Sequence, residues 1–225
     1  MDPIVRGHRL DDKALKRLSA DFEDLSAQEI IKWAFGESHF RAVTTSSFSD
    51  GVLAHLVTQE NPSAKIVFID TGFAFSETVQ YVHRLHKVLG FNLEIIEPNV
   101  DLSQDVCGTE MCCQRRKVEP LISYLSGHEF WITGIRRTET SQRAEIPIVS
   151  WDTKYQVVKV NPIANWSDDD VAGYIDRFNL PVHPLVPLGY LSIGCAPVTS
   201  PVLDPDDPRS GRWPGSDKTE CGLHV

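Results

Sequence analysis

The stretch RAVTTSSFSDGVLAHLVTQENPSAKIVFID, residues 41–70, begins and ends in apolar runs of the kind buried on both faces of a sheet. Between them a Ser-rich turn with Asp50 and Gly51 leads into a helical segment, so the unit reads strand–helix–strand. Further out, NLEIIE (92–97), FWITGI (130–135) and QVVKV (156–160) read as three more strands. The stretch SETVQYVHRLHKVLG reads as a helix closed by Gly90 as its C-cap. Upstream, Ser26 and Glu29 form a capping box ahead of Ile30, Ile31 and Trp33. Downstream, Ser167 followed by three aspartates caps another helix, with negative charge at its positive end. This alternation predicts an α/β fold with a doubly wound, mostly parallel sheet. Its ligand site should lie at the carboxyl ends of the strands.

Composition sets the outer limits. The 225 residues carry 22 basic and 31 acidic side chains, for a net charge of −9. That argues against a general nucleic-acid binder, which needs a basic face, but local clusters can still hold a small anion. No run approaches the roughly 20 apolar residues of a membrane helix, and the first residues lack the apolar stretch of a signal peptide. No membrane contact and a cytoplasmic location are therefore expected, while a homo-oligomer stays open. Five cysteines make a secreted disulfide framework a poor fit. In a reducing compartment such thiols suggest metal binding or catalysis, against the plainer role of small buried hydrophobes.

Residues 1–180 read as a nucleotide-binding α/β domain. From residue 181 the texture changes, and eight of the 14 prolines fall in this last stretch. Composition makes residues 181–225 an irregular C-terminal segment of the same domain, a mobile arm. It nonetheless contains Cys195, Cys221 and Trp213.

Four stretches carry candidate chemistry. Ser46, Ser47, Phe48 and Ser49 occupy a strand-to-helix turn, where backbone N–H groups and the helix dipole can face an anion; a Ser-rich cap is the simpler account. Asp70, Thr71 and Gly72 end the next strand, where an acid can meet a ribose or merely cap a turn. Cys112 and Cys113 precede Arg115, Arg116 and Lys117, and cations favour the thiolates that ligate metal or do redox chemistry. Arg136, Arg137 and Arg143 follow the fourth strand and suit phosphate or sulfate oxygens. Near the end, SGRW and ECGLH carry Arg212, Cys221 and His224. Cys221 there is either a frayed thiol or a nucleophile on an arm.

Taken together, TTSSFSDGVL, FIDTGFAFSET, CCQRRKVEPL, TGIRRTETSQR, VKVNPIANWSDDDV, GYLSIGCAP and SGRWPGSDKTECGLH resemble, in that order, the adenylyl-sulfate and phosphoadenylyl-sulfate reductases of sulfate assimilation. The resemblance spans about residues 30 to 225. It implies a fold of the adenine-nucleotide α-hydrolase, or ATP-pyrophosphatase-like, type. It also implies an oxidoreductase that reduces adenylyl sulfate to sulfite and AMP, at the head of cysteine biosynthesis. Cys221 would attack the sulfate sulfur to give an enzyme S-sulfocysteine, from which thioredoxin or glutaredoxin releases sulfite. Convergent cations are needed to spread the sulfuryl charge, and Lys117, Arg136, Arg137, Arg143, Arg209 and Arg212 are the candidates. His224 is placed at the substrate but is not assigned as a base.

In this family the Cys-Cys pair marks the branch using adenylyl sulfate, whose [4Fe–4S] cluster is held by that pair and a later C-x-x-C. Here Cys112, Cys113 and Cys195 match three positions, and the fourth is Val198, which cannot ligate iron. The expectation is a labile cluster with an open corner, against the rival of no cluster and three thiols packed as hydrophobes. Cys107 lies far from that corner in sequence and is not expected to fill it; Asp204 and Asp206 are further carboxylates without support. The competing readings are a phosphoadenylyl-sulfate reductase, a pyrophosphatase-type adenylating enzyme, and a non-catalytic iron- or redox-sensing relative. The Cys-Cys pair speaks against the first, and an intact ECGLH terminus against all three.

Overall fold

The computed structural model describes residues 4–5, 8–9, 11–36, 41–99, 105–204, 207–216 and 218–224, so Asp206 lies outside the described residues. Two short strands, β1 (Ile4–Val5) and β2 (His8–Arg9), pair antiparallel. Helices α1 (Asp12–Asp21) and α2 (Ala27–Phe35) follow, and α2 begins at the expected capping box: Ser26 Oγ accepts the Glu29 N–H, and Glu29 accepts the Ser26 N–H at 2.9 Å.

The expected strands then form one sheet: β3 (Ala42–Thr45), β4 (Lys65–Ile69), β5 (Asn92–Ile96), β6 (Phe130–Ile132) and, after a strand the sequence reading did not pick out, β8 (Val157–Val160). The unforeseen strand, β7 (Val149–Asp152), is a four-residue edge strand hairpinned antiparallel onto β8. Val149-Ser150-Trp151-Asp152 does alternate apolar and polar residues, but over only four positions, the shortest run in which alternation can be read. The sheet order is β5-β4-β3-β6-β8-β7, and all pairings except the last are parallel. The doubly wound, mostly parallel sheet is borne out.

Each central strand divides its residues between two apolar layers, as a period of two requires. Ile66, Phe68, Phe130, Ile132, Val158 and Val160 face the larger layer, beneath α1, α2, α3 (Val52–Glu60), α4 (Ser76–Leu89) and α7 (Asp168–Phe178). Val43, Val67, Trp131 and Val157 face the smaller one, closed by Val118, Leu121 and Leu125. Gly90 ends α4 in the left-handed region at φ 74° and Ser167 caps α7, both as the sequence indicated, and Asp170 returns the cap to the Ser167 N–H, a reciprocity the sequence reading did not state. Among the described residues no helix is long and apolar enough to cross a membrane.

Residues 181–225 lie against the rest of the domain where they are described. Leu185, Ile193 and Trp213 are buried, and the Ala196 N–H donates to the Phe73 carbonyl at 2.7 Å. The prolines deny this segment regular structure without denying it packing partners.

Candidate active site

The strand order reverses between β3 and β6, because the chain runs outward from β3 to β5 and then returns to the other side of β3. Ligands of open α/β sheets bind at such a switch point, beyond the carboxyl ends of the strands. A cavity of about 520 Å³ opens there, a size that suits a nucleotide. Ile135, Ile163, Val171 and Ile175 supply part of its apolar wall.

The turn after β3 contributes Ser46, Ser47 and Ser49 to this cavity. Phe48 does not line it. Its backbone is in the left-handed region at φ 54°, and its fully buried ring stacks on Phe91 at 5.7 Å. The expected contact role for this side chain is therefore corrected: Phe48 anchors the turn from below. Ser46 Oγ accepts the Phe48 N–H at 3.0 Å, and Asp50 accepts the Val52 N–H at 2.9 Å to cap α3. Burial pushes the Asp50 carboxyl up, against the pull of the Val52 N–H and Arg136. Of Asp70, Thr71 and Gly72 in the turn after β4, only Thr71 reaches the cavity. Asp70 accepts the Gly72 N–H at 2.8 Å, and Gly72 sits at φ 73° with Arg116 Nη1 only 3.1 Å from where a Cβ would be. Asp70 and Gly72 shape that turn instead of lining the site.

The arginines separate by partner. Arg137 turns away, paired with Glu23 at 2.6 Å and bonded to the Ile146 carbonyl, which overturns its placement in the site. Arg136 lines the cavity and meets Asp168 at 2.7 Å. Arg143 is held by two carboxylates, Glu139 and Glu220; its Nε and Nη2 each reach Glu220 at 2.7 Å. Arg209 donates to the Thr219 carbonyl at 2.9 Å. Arg212 lies over the Trp213 ring at 4.4 Å, and its buried Nε has no hydrogen-bond partner. Gly194 leaves room for this guanidinium, since a Cβ there would fall 2.2 Å from Arg212 Nη2 and displace it.

The chain end closes this cavity. Lys154 holds the Gly222 carbonyl at 2.9 Å, and the Tyr155 hydroxyl holds that of Leu223 at 3.0 Å, both from the hairpin between β7 and β8. Cys221 consequently lines the cavity together with Lys117, Arg209 and Arg212. Burial pushes the Cys221 thiol up, yet Lys117, the Leu223 backbone and Arg212 outweigh it, and the net direction is down. Lys117 is held protonated despite its burial by Cys221 and Cys195. His224 stacks on Trp131 at 5.3 Å with an unpartnered buried Nδ1. Burial, then Lys159 and Arg143, hold it well below the ordinary histidine range, so it is neutral.

The cysteine pair sits on an irregular helix. The short α5 (Glu110–Cys113), capped by Thr109, continues through a π-helical turn, Gln114–Val118, into α6 (Glu119–Leu125). The wider turn sends Val118, Leu121 and Leu125 to the core and leaves Cys112, Cys113 and Lys117 on a second, smaller cavity. Cys107, Cys195 and Val198 line that same cavity. Burial, then Cys195 and Cys112, push the Cys107 thiol up to about 12. Among the described residues no three His, Cys, Asp or Glu side chains close on one metal-ion position. Four thiols instead surround a common space, the donor set of a polynuclear iron–sulfur group. Thr71, Lys117, Cys195, Arg212 and Trp213 line both cavities, so the two share a wall.

Sequence reasoning missed Asp50 and Glu220 as site residues. Both lie inside stretches it quoted, and a carboxylate adjoining an anion site or a nucleophile was the available signal.

The family described as Phosphoadenosine phosphosulfate reductase domain matches residues 41–201. The Adenosine 5'-phosphosulfate reductase of Rhodococcus erythropolis is 41% identical, over 93% of this chain and 93% of its own length. That of Streptomyces coelicolor is 40% identical, over 94% of each. Among solved structures, phosphoadenylyl-sulfate reductase from Candida auris superposes with a TM-score of 0.73 at 24% identity, covering 86% of this chain and 99% of that one. FMN adenylyltransferase from Candida glabrata gives 0.59 at 14% identity, with 85% and 74% covered. The two structures share the adenine-nucleotide α-hydrolase-like fold. With the family match spanning the switch-point cavity and its Ser-rich turn, this chain belongs to the phosphoadenosine phosphosulfate reductase domain family.

Proposed function

We propose that the protein is an adenylyl-sulfate reductase, converting adenylyl sulfate to sulfite and AMP. The observation that carries this reading is the convergence of Cys221 with Lys117, Arg209 and Arg212 on one nucleotide-sized cavity floored by the Ser-rich turn. A thiolate cannot approach a dianionic sulfuryl group without cations to offset the repulsion. Lys117 and Arg212 both depress the thiol and stand ready for the sulfate oxygens. Arg136 and Arg143 are already committed to carboxylates and serve position more than charge.

In the step, the Cys221 Sγ lone pair forms a bond to sulfur while the S–O bond to the AMP phosphate breaks. AMP leaves with that electron pair, and Cys221 becomes S-sulfocysteine. A dithiol protein of the thioredoxin or glutaredoxin class then attacks Cys221 Sγ and sulfite departs. The mixed disulfide resolves within the reductant, which supplies the two electrons and is left oxidised. His224, neutral and stacked on Trp131, cannot add to the positive field around the thiol. Release of the docked end from Lys154 and Tyr155 would expose the adduct to the reductant.

An iron–sulfur cluster at Cys112, Cys113 and Cys195 would fix the segments bearing these thiols and set the local charge beside Lys117. The Cys-Cys pair and the relatives' names support adenylyl sulfate over its 3′-phosphorylated form. Incubation with adenylyl sulfate and no reductant should add one sulfonate to the intact mass, absent in Cys221→Ser. Paired kinetics should give the larger kcat/KM for adenylyl sulfate; a preference for the 3′-phosphorylated nucleotide rejects the substrate assignment.

A further inference from the structure

Position 198 is where the family places the fourth cluster cysteine, and this chain has valine there. The fold brings another thiol to that corner. The loop before α5 turns back at Gly108, whose φ of 94° lies in the left-handed region. It presses against Val198 so closely that a Cβ on Gly108 would meet Val198 Cγ1 at 2.8 Å. The residue just before this contact is Cys107. Its thiol lines the cavity shared by Cys112, Cys113, Cys195 and Val198.

We propose that Cys107 replaces the cysteine missing at position 198, so that Cys107, Cys112, Cys113 and Cys195 together hold a [4Fe–4S] cluster. The proposal rests on the adenylyl-sulfate reductase reading, which is what brings a cluster into question. Four thiolates complete the ligand set without an open iron. Val198 then packs as an apolar lid beside Gly108, and exclusion of water favours such a site. A cluster with four thiolates is anionic, and cations surround this cavity. Arg116 and Lys117 line it, and Lys218 Nζ stands 3.3 Å from Cys113 Sγ while bonding the Gly108 carbonyl at 2.8 Å. Separation in sequence, which argued against Cys107, is cancelled by the turn at Gly108.

The test uses full-length protein purified anaerobically, with iron and acid-labile sulfide per chain, visible absorption and EPR as readouts. Wild type should hold about four irons. Cys107→Ser should lose at least one iron or the whole cluster, and Cys107→Ser with Val198→Cys should recover the wild-type content and spectrum. Recovery also separates a lost ligand from a lost fold. Iron-free wild type overturns the proposal. So does Cys107→Ser with wild-type iron and spectrum, or a folded double variant that stays depleted. The sulfonate adduct on Cys221, measured in the same preparations, reports the activity reading separately. An adduct without iron rejects the cluster alone, and iron without an adduct rejects the activity alone.

Discussion

Replacing Glu220 with alanine should free the chain end that carries Cys221. The Glu220 carboxylate is almost wholly buried and accepts from Arg143 Nε and Nη2 at 2.7 Å each and from the Thr140 hydroxyl at 3.1 Å. Hydrogen bonds involving a charged group contribute about 1.5–3 kcal/mol each. Arg143 keeps Glu139 and lines the large cavity, so its charge is not stranded when Glu220 goes. The net loss in docking is then about 2–3 kcal/mol, below the value for a fully abandoned buried charge. At about 1.4 kcal/mol per factor of ten, the released state should gain roughly 30- to 140-fold in population. Lys218 supplies the assay. Its ammonium is tied to the Gly108 carbonyl while the end is docked, so trypsin cuts after it chiefly in the released state. Where reclosing outpaces cleavage, the rate of losing residues 219–225 follows that population. Intact-mass kinetics should show the same acceleration, roughly 30- to 140-fold, in Glu220→Ala and a smaller one in Glu220→Gln. Equal rates for wild type and Glu220→Ala would refute the account of Glu220 as the latch.

Other outcomes follow from single observations. Gly194→Ala should displace the Arg212 guanidinium it would strike and lower kcat/KM by about 10²-fold, whereas Arg137→Gln should leave kcat/KM near wild type because Arg137 points at Glu23; equal losses in the two variants would contradict the sorting of the arginines. Buried His183, bonded to Thr78 at 3.0 Å, is pushed down to about 4 by burial, so the unfolded chain takes up its proton first as pH falls below about 6.5. Its contribution is complete above that pH and is lost as pH falls through 4, with a ceiling of about 3 kcal/mol. Urea unfolding at pH 7 and pH 5 should reveal the loss in wild type and a shallower one in His183→Gln, and identical slopes would rule this contribution out.

The layered sheet could be read directly from residues 41–160, because strands buried on both faces announce themselves by unbroken Val, Ile and Phe runs. The capping boxes at Ser26 and Ser167 were equally plain, since their donors and acceptors lie three residues apart. Contacts between distant segments were not. Phe48 occupies a motif facing the cavity, yet its ring points to Phe91, a direction set by one left-handed residue. Arg136 and Arg137 are neighbours with opposite fates, because the start of a 3₁₀ turn at Arg137 rotates one toward Asp168 and the other toward Glu23. Cys107 was discounted on sequence distance, and the turn at Gly108 was invisible without the backbone.

The π-helical turn at Gln114–Val118 is in effect an inserted residue, and it uncouples two halves of one helix. Drawing the same residues back to ordinary α-helical pitch would rotate one half against the other by about 100°. Leu121 and Leu125 are fastened into the smaller apolar layer, so the rotation would fall on the amino-terminal half and sweep Cys112 and Cys113 off their cavity. Deleting one residue would cancel that rotation, because the turn lost is the turn the extra residue fills. The wide turn and the residue count thus set the register of the thiols together, whichever side chains occupy the segment.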